Sequence, residues 1–165
     1  MLLARRIWNW CRRFRYRCGY GVHSPSDFFL ITSVMYEGLP YYAYDRLKAS
    51  SGLKSLPHYR EKVNRLLFRL VNYFRPASLI EVGEGNGYSI RYMREARTSM
   101  KSVCLKGEDK EETLRRLKIE LEKVKKLDFL HIGYTPYYKE VFEMAYPYLH
   151  DTSCVQTMKS HNLRL

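Results

Sequence analysis

The residues with the clearest chemical potential are Gly83, Gly85 and Gly87, spaced two apart in Ser78-Leu79-Ile80-Glu81-Val82-Gly83-Glu84-Gly85-Asn86-Gly87-Tyr88-Ser89. The stretch begins as a short apolar run with β-branched residues and turns through the glycines into a segment that can be helical, Tyr88 to Arg97. Strand, glycine turn, helix is the geometry in which backbone N–H groups at a helix start face a bound ligand. Glycines let the backbone bend and let a ligand come close. A tight strand-to-helix turn also uses glycine for bending alone, and the spacing by itself admits both uses.

Other candidate chemistry is scattered. The four cysteines, Cys11, Cys18, Cys104 and Cys154, form no close Cys-x-x-Cys pair. That argues against a zinc or redox motif and suits a reducing compartment. His23 lies in Gly19-Tyr20-Gly21-Val22-His23-Ser24-Pro25, a turn by its glycines and proline. It could carry a proton or fix the loop by hydrogen bonds. Tyr41, Tyr42 and Tyr44 could stack on a base or ring, or cover the edge of the core.

These residues need a scaffold, and the chain is long enough for one sizeable core: 165 residues, 45% of them hydrophobic. The formal net charge of +12 favours polyanions or simply aids solubility. Residues 1–18 hold no acid. Leu3, Ile7, Trp10 or Cys11, Phe14 and Cys18 recur there at helical spacing, between Arg5, Arg6, Arg12, Arg13, Arg15 and Arg17. Such a basic amphipathic helix could lie on nucleic acid or an anionic membrane, or pack on its own domain through the apolar stripe. No apolar run is long enough to span a bilayer, and the start lacks the apolar segment of a secretory signal. The expectation is a cytoplasmic protein, with that helix as a route to the membrane periphery.

In chain order, Ser24 or Ser26 can cap a helical segment from Asp27 to Tyr36. Glu37 to Pro57 is a region punctuated by Gly38, Pro40, Gly52 and Pro57, with Ser50-Ser51-Gly52 as its expected mobile point. Tyr59 to Phe74 is a helix with one apolar face, stopped by Pro76. Beyond the glycine turn come a strand at 102–105, a charged helix at 111–126 and a strand at 127–132. A helix at 137–149, distorted or ended by Pro147, and a strand at 153–157 complete the series. Strands alternating with helices predict a mostly parallel sheet of about four strands with right-handed crossovers. An N-terminal helical, basic region (1–57) precedes this α/β domain (58–165).

Glu81-Val82-Gly83-Glu84-Gly85-Asn86-Gly87 resembles the first motif of class I S-adenosylmethionine-dependent methyltransferases. The resemblance extends to a bacterial methyltransferase-like group with a Gly-x-Gly-Val-His-Ser-Pro segment near the start, as at Gly19 to Pro25. Asp128-Phe129-Leu130-His131-Ile132 resembles that group's fourth strand and the Ser153 strand its fifth. The resemblance implies a Rossmann-like sheet and S-adenosylmethionine as cofactor. It places Glu81, Gly83, Gly85, Asn86 and Gly87 at the cofactor's methionine half, Glu81 acting through hydrogen bonds to the amino group. It names no catalytic residue.

The departures carry as much weight. Where the family's second strand ends in an acid that holds the ribose hydroxyls, this chain has Lys106, which has donors only. A shift of register would bring Glu108 or Asp109 there instead. The fourth strand's Asp-Gly is replaced by Gly133-Tyr134, and the fifth strand's acids by Met158-Lys159. A metal-dependent transferase is disfavoured, because hard cations want clustered carboxylates. A dinucleotide enzyme is disfavoured because its glycines follow Gly-x-Gly-x-x-Gly. Only about 45 residues separate Gly83 from Asp128, which leaves one strand–helix unit fewer than the complete fold. The expected function is a methyltransferase-like protein with weak or lost catalysis. The alternative is a basic adaptor for nucleic acid, a protein or an anionic membrane, with an open sheet edge that invites a homodimer.

Overall fold

A computed structural model describes residues 2–14, 19–50, 58–83, 87–106 and 109–158. The chain forms two compact units, Met1–Tyr41 and Tyr42–Leu165.

The first unit is helical. α1 spans Leu2–Phe14. A turn closed by the Val22 N–H donating to the Gly19 carbonyl leads to α2, Pro25–Phe29. Ser24 caps α2 as expected, its Oγ accepting the Asp27 N–H at 3.4 Å. The helix expected to run on to Tyr36 instead widens into a π-helical segment, Leu30–Met35. Exposed His23 lies in the loop before α2.

The second unit is an α/β sandwich. Its elements are α3 (Tyr42–Ser50), α4 (His58–Phe74), β1 (Ser78–Val82), α5 (Tyr88–Ala96), β2 (Lys101–Leu105), α6 (Lys110–Val124), β3 (Leu127–Ile132), α7 (Tyr138–Ala145) and β4 (Leu149–Thr157). The strands form one all-parallel sheet in the order β2-β1-β3-β4. β1 and β3 are central, and parallel strands covered on both faces read as near-continuous apolar runs; every residue of β1 is buried.

Crossover handedness explains the layers. The chain steps from β1 to β2 in one direction, then reverses and steps past β1 to β3 and on to β4. Right-handed connections then put α6 and α7 on one face and α5 on the other. Ile80, Val82, Leu105, Leu130 and Ile132 accordingly pack with Leu117 and Leu121 of α6 and Val141 and Ala145 of α7. Alternation sends Leu79, Glu81, Cys104, Phe129 and His131 to the opposite face, and α4 and α5 pack against each other.

In the second unit, α3 and β4 differ from expectation. The punctuated stretch 37–57, to which the sequence assigns no element, contains α3, which buries Tyr44 against Phe68 and Tyr92 while Tyr42 stays 93% exposed. β4 starts at Leu149, earlier than the expected Ser153. Between the pairs Leu127–Leu149 and Phe129–Cys154 the register shifts. Ser153 Oγ holds this bulge, donating to the Leu127 carbonyl at 2.6 Å and accepting the His150 N–H at 2.8 Å. The last helix ends in a 3₁₀ turn over Tyr146–Tyr148, where Pro147 sits. Among the described residues no helix is long and apolar enough to cross a membrane.

Candidate functional site at the carboxyl ends of the strands

In an open parallel sheet, ligands meet the carboxyl ends of the strands where the strand order reverses. Here that place lies between β1 and β3, at Gly83 and Gly133. Four residues share one register row just inside it: Cys104 pairs with Glu81, Glu81 with His131, and His131 with Gln156. One polar or thiol side chain from each strand therefore lies on the same face.

The centre of the row is buried and under-satisfied, while Cys104 and Gln156 at its ends are half-buried. Glu81 is 4% exposed and His131 1%. Glu81 Oε2, both His131 ring nitrogens, Gln156 Oε1 and the nearby Thr135 Oγ1 are buried without hydrogen-bond partners. Each such group costs about 1–3 kcal/mol. Burial pushes the Glu81 carboxyl above its ordinary range; the Cys104 thiol, the Lys106 and Arg94 charges and the Ile90 N–H oppose this without cancelling it. Burial pushes His131 down to about 4, against the influence of Gln156. His131 is neutral at pH 7, so its 3.7 Å approach to Glu81 is not an ion pair. Burial and the Glu81 carboxylate raise the Cys104 thiol to about 11, which makes it inert as a nucleophile.

Two of the turn's three glycines, Gly83 and Gly87, are engaged by the protein itself. Gly83 (φ +151°) lies so close to β3 that a Cβ there would meet the Gly133 backbone at 3.0–3.3 Å, and the Gly133 N–H donates to the Val82 carbonyl at 2.8 Å. Gly87 (φ +76°) starts α5 in the left-handed conformation, and a Cβ on it would stand 2.6 Å from Lys106 Nζ. Gly85 and Asn86 lie outside the described residues, as do Glu84, Glu108 and Lys159. Asp109, the other candidate acid, caps α6 by accepting the Glu111 and Glu112 N–H groups.

The groups brought together are thus Glu81, Gly83, Gly87, Lys106 and Gly133. His131 and Gln156 complete the row but had no assigned role from the sequence, because register cannot be read from spacing. A groove of about 590 Å³ lies elsewhere, between α3, α5 and the start of β2, lined by Leu47, Arg91, Glu95, Met100 and Ser102 among others. Among the described residues no three of His, Cys, Asp and Glu gather as a metal site. On α1, Arg5 is exposed, while Arg15 and Arg17 lie outside the described residues.

Comparison of the sequence with family models and with curated proteins finds no match.

Proposed function

We propose that the chain is a class I methyltransferase-like domain that no longer methylates, a Rossmann-like scaffold in which the two ends of the cofactor turn, Gly83 and Gly87, are met by the protein's own backbone and side chains. One observation carries this reading: the Lys106 ammonium stands against Gly87. By the resemblance, the second strand delivers there the carboxylate that holds the ribose. A carboxylate accepts two hydroxyl protons; an ammonium only donates. It also repels a sulfonium, which carries the same charge. The close approach of Gly83 to Gly133 removes the room that glycine would otherwise leave for a ligand. These residues do not fit S-adenosylmethionine, and no transfer step is assigned to them. What remains to such a chain is binding, and its net charge of +12 directs it to anionic partners.

Calorimetric titration of S-adenosylmethionine into the full chain, with circular dichroism confirming the fold, tests this. The expected result is no saturable heat at micromolar cofactor. A dissociation constant in the low micromolar range overturns the reading.

A further inference from the structure

We infer that α1 is an in-plane anchor for an anionic lipid surface. With about 100° between successive residues, its positions divide into two arcs. Leu3, Ile7, Trp10, Cys11 and Phe14 fall on one. Arg5, Arg6, Asn9, Arg12 and Arg13 fall on the other, and Trp8 lies at the boundary. The helix contains no acid.

The described apolar side chains of this arc, Ile7, Trp10 and Cys11, are exposed. Every described side chain of α1 is exposed. Trp8 is 66% exposed, and Ile7 and Trp10 are 55% each. Isolated exposed apolar residues are ordinary, but Ile7 and Trp10, three apart on one face, with Trp8 at its boundary, make a patch. Among the side chains described in Met1–Tyr41, Val34 is the only buried hydrophobic.

Charge complementarity selects the occupant. Nucleic acid would neutralise the arginine arc and leave the apolar arc hydrated. An anionic bilayer takes both, with the apolar arc in the headgroup–acyl boundary and the indoles at the interface. The guanidiniums then meet the anionic headgroups. At 13 residues the helix is too short to span the hydrocarbon and would lie along it. α1 carries this on its own, whatever the glycine turn binds.

The two tryptophans of the chain are Trp8 and Trp10, so indole fluorescence reads α1 alone. The full chain is mixed with vesicles of phosphatidylcholine, with or without phosphatidylserine. Expected are water-exposed emission in buffer, then a blue shift, shielding from acrylamide and co-sedimentation on the phosphatidylserine vesicles only. Ile7→Asp, with unchanged circular dichroism, should lower partitioning more than about tenfold. Arg5→Glu with Arg13→Glu keeps the apolar arc and should abolish the preference for anionic vesicles. Three results would overturn the inference: buried-type emission in buffer, no co-sedimentation with phosphatidylserine, or co-sedimentation without a blue shift. Duplex RNA producing the blue shift while vesicles do not would overturn it equally.

Discussion

Lys106 reaches the helix-side end of the glycine turn, its Nζ 2.6 Å from where a Cβ on Gly87 would stand. The cation lies at the start of α5, where backbone N–H groups already present positive partial charge. Its Coulombic partner is Glu81, one strand away, whose charged form it favours. The edge that a ligand would approach is thus internally arranged around a lysine and a buried carboxyl group.

The three glycines of this edge should respond differently to alanine. Gly83→Ala drives a Cβ into the Gly133 backbone, which cannot swing aside, at a φ that disfavours side chains; we expect a loss of about 3 kcal/mol. Gly87→Ala meets only the flexible end of Lys106, so its cost is the left-handed φ, about 1 kcal/mol. At Gly133 a Cβ would have ordinary contacts, 3.5 Å to the Val82 carbonyl oxygen and 3.8 Å to Gly83 Cα, and Gly133→Ala should be the mildest. Urea unfolding of the three variants gives the order directly, and an equal loss at Gly83 and Gly87 would contradict it.

His131 should make the fold acid-sensitive. Its native pKa, about 4, lies below the unfolded value near 6.5. Between those values the unfolded chain holds a proton that the native chain does not, so stability falls as pH falls. From pH 7 to 5 the loss from this residue is about 2 kcal/mol. Glu81, raised on folding, acts in the opposite sense and offsets part of it as pH drops toward its own range. His131→Leu should remove the acid loss and relieve two unpaired ring nitrogens. Identical pH slopes in the variant and the parent would contradict this.

Asp128 ties the amino ends of the central strands together. One carboxylate oxygen accepts the Ala77 and Ser78 N–H groups at 2.7 and 3.0 Å, and the other lies 2.8 Å from His150 Nε2. Burial pushes the carboxyl up, but His150 and the two N–H groups outweigh it and hold it below the ordinary range. Its contribution is therefore present above the unfolded pKa and is lost as pH falls through the native one. Asp128→Ala should cost about 3 kcal/mol near neutrality. In thermal unfolding at pH 7, a midpoint unchanged from the parent would refute the role.

The strands and helices from α4 onward were legible because short apolar runs alternate with segments whose apolar residues recur at 3.6, with Pro76 and the glycines as punctuation. α3 was not, because the glycines and prolines on either side mask the breaker-free run between them, where Tyr44 and Leu47 share a face. The early start of β4 was hidden by its polar residues: His150 and Ser153 are held by side-chain bonds to β3 that spacing does not reveal. The Cys104–Glu81–His131–Gln156 row was equally invisible, since it arises from register between strands distant in sequence. Lys106 at the end of β2 was expected; its contact with Gly87 emerged only in three dimensions.

The most direct measurement is parallel calorimetric titration of the parent and Lys106→Glu with S-adenosylmethionine. If the lysine bars the ribose position, the variant restores an acceptor there and removes a repulsive charge, so affinity should rise at least about tenfold. Unchanged or weaker binding by a folded variant would contradict the account.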